Sequence, residues 1–343
     1  MASSALTASQ NADLDATTRA MWQKTRVPQV LLRMPLYAKL LDRNRRSWSR
    51  GDKYVFTADY QETDSVGQWY GKGTGLTAGR AVSLTKPWFL PKFGNIPVRA
   101  DMEEMLLNGS GEETVINLSE YLVKKAQRAA RILLYKAAYA AASTDTSTGF
   151  QSIVQALNHD ATYAHTTRAT TVTNKWFQGA SLDDTFADQD TARTCDVSLV
   201  RAMYSKIMKY VEDPADVILI CGDTNYLTLK AEVSASTKTT KQGTMAKYGF
   251  ASFMIDDQIE VVQDYFLSAA ELPAETTPQK WMFMLNVDHW HLMLHPERSF
   301  ALKPFRWQAE MTNGADEWLG RVLIAGNLAC DHPASSMWLS NVT

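Results

Sequence analysis

The chain has 343 residues, 45% of them hydrophobic and 21% charged, with a formal net charge of −2. That length is enough for a sizeable core and close to the limit for a single one, so an extended or two-lobed body is expected rather than a compact sphere. A charge so near zero excludes a dedicated nucleic-acid binder, which needs a basic surplus to displace counterions from phosphates.

Cys195, Cys221 and Cys330 are odd in number, widely spaced and without a CxxC pair, which suggests neither a disulfide framework nor a zinc knuckle and fits a reducing cytosol. The first ten residues are small and polar, so no signal peptide is expected, and no apolar run reaches membrane-spanning length.

In chain order, residues 19–53 carry Arg19, Lys24, Arg26, Arg33, Lys39 and further basic residues through Lys53, against only Asp42 and Asp52. This basic arm either lies against acidic neighbours or the inner side of a DNA container, or is a solvated face. Residues 52–98 read as a β-ribbon: Tyr54, Phe56 and Ala58 alternate with Lys53, Val55 and Thr57, and a second strand runs from Ala81 to Trp88. Between them Gly67, Gly71, Gly73, Gly75 and Gly79 form a long flexible tip, so the ribbon predicts a projecting hairpin.

Ser110 followed by Glu113 is a capping box, and Glu112 adds negative charge where a helix dipole favours it. From there Val115, Leu118, Leu122, Ala126, Ala129, Leu133, Ala137 and Ala140 recur at steps of three and four, which draws one apolar stripe along a helix over residues 112–142. Such a helix is roughly 46 Å long at about 1.5 Å per residue, long enough to brace an elongated body.

Residues 143–194 are rich in Thr, Ala, Asp and Gln, with weak periodicity, and read mostly as loop with short helical pieces. Residues 196–211 read as a helix with Val197, Val200, Met203 and Ile207 on one side, stopped by Pro214. Val217 to Ile220 is a short buried strand, and Asp223 caps a further helix to about Val233, so an α/β lobe is expected. Beyond a linker at residues 236–243, strands are expected at 259–262, 281–285, 289–294, 300–307 and 318–328.

Chemistry has no anchor in this pattern. Gly73, Gly75 and Ala78 fit a loose dinucleotide spacing but lack the strand and helix that make it work, and Lys72 lacks the Walker spacing. His289 and His291 fall on one face of a strand and need a third ligand to hold a metal; His295, roughly 13 Å further along an extended strand, is too far. Core or interface histidines beside Trp290 is therefore the reading. Asp256 and Asp257 read as a solvated turn. No nucleophile elbow, HExxH helix or Cys with a spaced His partner occurs, so no catalytic, metal or cofactor site is expected. The surplus of tryptophans, among them Trp176, Trp281, Trp290, Trp307, Trp318 and Trp338, points to interfaces alongside some core packing.

The order of basic arm, glycine-tipped hairpin, long capped helix, α/β lobe and terminal β region resembles tailed-bacteriophage major capsid proteins of the Hong Kong 97 (Johnson) fold, an α+β class. The family-like runs are DPADVILICGDTNYLTL at 213–229 and EWLGRVLIAGNLACD at 317–331. The resemblance implies an N-arm at 1–50, an extended E-loop at 51–100 and a peripheral domain at 101–195 with its spine helix at 112–142. It further implies an axial domain at 196–285 and a terminal peripheral β region at 286–343. Pentamers and hexamers building an icosahedral head around double-stranded DNA are implied, with no enzymatic activity and no cofactor. The E-loop tip, Gln68, Trp69, Tyr70 and Lys72, is expected to touch neighbouring subunits, and Arg43, Arg45 and Arg46 to make basic N-arm contacts.

A separate scaffolding protein, a portal and a decoration protein are the implied partners, with no membrane. The place is the virion, after synthesis in the bacterial cytoplasm. The alternatives are an encapsulin-type compartment shell, which shares the fold, and an enzyme with a cryptic site.

Overall fold

The computed structural model describes residues 34–43, 45–48, 51–59, 69, 72, 84–101, 118–141, 144–160, 162–168, 176–183, 189–236, 252–308 and 317–343. In chain order these hold helix α1 (Pro35–Arg43), strand β1 (Arg45–Ser47) and the short strands β2 (Tyr54–Val55), β3 (Ala58–Asp59), β4 (Leu84–Thr85) and β5 (Trp88–Phe89). Strand β6 (Lys92–Asp101) precedes α2 (Leu118–Tyr139), α3 (Ile153–Leu157), α4 (Val197–Ile207), β7 (Val217–Cys221) and α5 (Asp223–Ser236). Strands β8 (Ser252–Ile255), β9 (Ile259–Gln263), β10 (Met282–Asn286), β11 (Trp290–Leu294), β12 (Ala301–Gln308), β13 (Glu317–Cys330) and β14 (Met337–Leu339) complete the set.

The chain divides into two compact units, whose described parts fall in Phe93–Leu134 with His295–Ala325, and in Arg33–Lys92 with Tyr135–Leu294 and Gly326–Thr343. In the latter, a sheet runs β14-β10-β7-β9-β8, with β7 and β9 parallel and the other neighbours antiparallel. All of β7 is buried, as a central strand covered on both faces must be. On one face Val217 and Leu219 join Val200, Met203 and Ile207 of α4 and Leu229 of α5 in a single apolar cluster. Each such fully buried aliphatic side chain contributes roughly 2 kcal/mol. On the other face Ile220 lies opposite Phe283, whose ring stacks on Trp338 at 6.2 Å and meets Tyr139, the last residue of α2, at 5.5 Å.

Local chemistry sets the helix ends. The Asp196 carboxylate accepts the Leu199 N–H at 2.6 Å to open α4, which closes in the 3-10 turn Met208–Tyr210 ahead of Pro214. The same unit holds a second pairing, in which β1 runs parallel to β11 and β11 runs antiparallel to the Gly326–Cys330 end of β13. Gly326 lies opposite Leu294, where an added Cβ would sit 2.1 Å from the Met293 carbonyl oxygen, so this close approach requires glycine.

In the other unit, β12 and β6 pair with β13, and Gly94 of β6 lets Ile324 and Leu133 approach, each 3.6 Å from where its Cβ would be. The Val322 and Ile324 side of β13 is thus the side that meets α2.

Three expectations change. The buried stripe of α2 runs through Ala126, Ala130, Leu134, Tyr135, Ala138 and Tyr139, while Ala129 and Leu133 are exposed. The rings of Tyr135 and Tyr139 bury far more area than the methyls of Ala129 and Ala137, so the helix turns to cover them. Its predicted start, with Ser110, Glu112, Glu113 and Val115, lies outside the described residues. Trp281, Trp290 and Trp338 are core residues rather than interface residues. The end of the assumed arm is also built into the body: Met34, Leu36, Tyr37 and Leu40 are buried, and Tyr37 stacks on Tyr135 at 6.0 Å.

Candidate assembly surfaces

The ribbon predicted at residues 52–98 is present at its base as two antiparallel rungs, β2 with β5 and β3 with β4. Phe56 stacks on Phe89 at 5.7 Å and tilts against Phe177 at 6.1 Å. The Trp88 ring is held between Lys53 Nζ, 4.1 Å from its centre, and the His165 imidazole, stacked at 3.5 Å. The Trp88 N–H donates to the Ala164 carbonyl at 3.2 Å. Ala164 and His165 both have left-handed backbone, φ 50° and 55°, a local strain that persists because the surrounding contacts over-determine it.

Beneath that turn lies a buried polar network that the sequence did not reveal. Asp145 accepts the His165 backbone N–H at 2.7 Å, the Gln155 side-chain amide at 3.1 Å and the Gln151 amide. Lys92 donates to the Asp145 carbonyl at 2.7 Å and to the Ser147 carbonyl; burial pushes its ammonium pKa down, with the Asp145 charge partly offsetting this. Asn327 reaches the Leu90 carbonyl at 3.0 Å and the Gln151 side chain at 3.1 Å. Fully buried Arg168 donates to the carbonyls of Ala156 at 2.6 Å, Phe177 at 3.1 Å and Gln155, and burial brings its pKa down to about 10. The described part of the segment read as loop is thus held by buried polar atoms as well as by apolar ones such as Ile153, Leu157 and Phe177.

Of the predicted tip residues, Trp69 is fully exposed and Lys72 exposed, while Gln68, Tyr70 and the tip glycines lie outside the described residues. Of the basic arm residues, Arg46 donates to the Tyr54 hydroxyl at 2.8 Å; the side chains of Arg43 and Arg45, and everything before Met34, lie outside the described residues.

His289 and His291 do meet, but not on one strand face. His289 falls in the 3-10 turn Val287–His289 before β11, and what joins the two rings is the Asp331 carboxylate, 2.8 Å from His289 Nδ1 and 2.8 Å from His291 Nε2. Burial pushes the Asp331 carboxyl up, but the bonds from both imidazoles outweigh it and hold the group well below the usual carboxylate range. His332 meets the His289 ring at 5.2 Å and Tyr210 at 4.9 Å; burial and the neighbouring imidazole push its pKa down to about 4.

Among the described residues no three His, Cys, Asp or Glu side chains gather as metal ligands. The cysteines are buried, and burial pushes the Cys195 thiol up to about 12. Asp256 and Asp257 form the expected exposed turn, both with positive φ, and Asp256 takes a bidentate pair from Arg201 at 2.6 and 2.8 Å. No helix among the described residues is long and apolar enough to cross a membrane.

No family model and no curated protein matches the sequence. Solved structures do. The capsid asymmetric unit of cyanophage A-1(L) superposes with TM-score 0.64 at 13% identity, covering 95% of this chain and 98% of that one. The capsid of a native GTA particle superposes with TM-score 0.55 at 10% identity, covering 100% of both chains. The holo-SrpI encapsulin complex from Synechococcus elongatus superposes with TM-score 0.55 at 10% identity, covering 96% of this chain and 95% of that one. Over nearly its whole length, therefore, this chain has the fold of tailed-phage capsid subunits, which the encapsulin shares.

Proposed function

We propose that this chain is a major capsid protein, a shell-building subunit that assembles into pentamers and hexamers of an icosahedral phage head around double-stranded DNA. The observation that carries the reading is the end-to-end match to capsid chains, with 95% and 98% of the two chains covered in the cyanophage case. It is supported by a hairpin base clamped by Trp88, His165 and Lys53, and by Trp69, which lies between the two halves of that hairpin in sequence and is fully exposed. A large exposed aromatic is the kind of side chain a neighbouring subunit would cover.

On this reading residues 1–50 are the N-arm, 51–100 the E-loop and 112–142 the spine helix of the peripheral domain 101–195. Residues 196–285 are the axial domain and 286–343 the returning peripheral strands. Gln68, Trp69, Tyr70 and Lys72 contact the next subunit, and Arg43, Arg45 and Arg46 make the N-arm contacts. Scaffolding, portal and decoration proteins are the expected partners. The work of the molecule is assembly, without catalysis.

The second reading is a cellular compartment shell, favoured by the encapsulin likeness at TM-score 0.55. Co-purifying enzyme cargo instead of DNA distinguishes it. The test is negative-stain microscopy of Trp69→Ala with Tyr70→Ala beside the unaltered chain. The double variant should stay soluble and form no shells, and normal shells would refute the reading of the tip.

A further inference from the structure

Alternation along β6 and β13 separates two faces of one sheet. Gly94, Ile96, Val98 and Ala100 are buried or half-buried on the side that meets α2, and Phe93, Asn95, Pro97 and Arg99 are exposed on the other. On β13, Val322 and Ile324 point to the α2 side, so Arg321 shares the outer face with Arg99. Strand β12 adds Lys303, in register directly opposite Arg321. Two exposed cations opposed across an antiparallel pair destabilise the ladder. Neither has a hydrogen bond or ion pair among the described residues. On the same outer face of the sheet Phe93 is 64% exposed, with the Arg298 guanidinium 5.9 Å from its ring centre.

We propose that this outer face, centred on Lys303, Arg321, Arg99 and Phe93, is a docking surface for an acidic patch on a second copy of this chain. The inference rests on the shell-subunit reading and deepens it by naming a contact outside the hairpin. A packaged duplex is the competing polyanion, but a phosphate backbone has no use for an exposed phenylalanine capped by arginine, whereas Phe and Arg together are enriched where proteins meet. The complement is on the chain itself. With a net charge of −2, the cations gathered here leave acid elsewhere. Glu212 and Asp288, both beyond the end of the sheet where Val217 of β7 pairs with Asn286 of β10, are exposed in the other unit without an ion pair among the described residues. Opposite potentials on two copies steer association and suppress the wrong register.

The experiment compares particle formation by the full chain, Lys303→Glu with Arg321→Glu, and Lys303→Gln with Arg321→Gln, by light scattering and microscopy across a salt series. Assembly of the unaltered chain should weaken as salt rises. The Glu pair should raise the concentration needed for half-assembly by about tenfold or more, and the Gln pair by roughly threefold. Glu212→Lys with Asp288→Lys should recover part of the loss in the Glu pair. The Gln pair removes the like-charge opposition, so its subunit melts no lower than the unaltered one, which keeps misfolding out of the readout. Shells forming at the unaltered concentration in both variants overturn the contact and leave the shell reading standing. Shells that form normally but hold less DNA assign the face to the duplex and overturn it too. An unaltered chain that forms no particles under any condition takes the contact down with the shell reading.

Discussion

Asp264 gives the sharpest handle on what ties Tyr139, the last residue of α2, to the ends of β7 and β9. It follows β9 and is buried, its Oδ2 accepts the Tyr139 hydroxyl at 2.6 Å, and its Oδ1 accepts the Phe266 N–H at 2.9 Å. Its own N–H donates to the Cys221 carbonyl at 2.9 Å, so one residue joins the end of α2, the end of β7 and the end of β9. Burial pushes its carboxyl from 3.8 up to about 6 even against those two bonds. The folded form therefore binds the proton more tightly than the unfolded chain. Stability from this group is complete below about pH 4, is lost as pH rises to about 6, and is flat above that.

The gap between 3.8 and about 6 amounts to roughly 3 kcal/mol at ~1.4 kcal/mol per tenfold in proton affinity. Asp264→Asn removes the titration while keeping the shape. At ~2 °C per kcal/mol for a chain this long, the melting temperature of Asp264→Asn minus that of the unaltered subunit should climb by about 6 °C between pH 4 and pH 7. The measurement is thermal unfolding of unassembled subunits across that range. A difference that stays constant with pH would mean that Asp264 does not carry the proton, and the reasoning fails.

Arg168→Met leaves the carbonyls of Gln155, Ala156 and Phe177 without their donor in the interior. At roughly 1–3 kcal/mol per orphaned group, urea unfolding should show a loss of about 3–5 kcal/mol, and a loss below ~1 kcal/mol would contradict the network. Gly326→Ala forces β11 and β13 apart, since its Cβ would lie 2.1 Å from the Met293 oxygen, whereas at Gly149 the nearest atom is Ala137 Cβ at 3.9 Å. The first change should cost about 3 kcal/mol and Gly149→Ala less than ~0.5; equal urea midpoints for the two would sink the close-approach argument.

The α/β lobe was legible because each signal was local. Asp196 caps α4, Val200, Met203 and Ile207 recur on its inner side, and the unbroken run VILIC of β7 reads as a strand buried on both faces. The hairpin base was legible from alternation in the same way. The basic sheet face was not, because Lys303 and Arg321 stand apart in sequence until β12 and β13 pair in one particular register. Asp145, Lys92, Arg168 and Asp264 were equally silent. Buried polar residues look like surface ones in a sequence, having neither apolar periodicity nor a motif, and only their hydrogen-bond partners reveal them.

The amino-acid order alone determined the helices and strands of the α/β lobe and their succession, since caps, breakers and periodicity act over a few residues, whereas helix α1 and strands β1, β8 and β14 carried no such signal. Tertiary structure decided which side of α2 faces inward, because two tyrosine rings outbid smaller methyls for the interior. It also decided that His289 and His291 serve Asp331, a half-buried residue some forty positions away whose carboxylate both rings bond. Which partner a side chain meets is a property of closure between distant strands, and no local pattern encodes it.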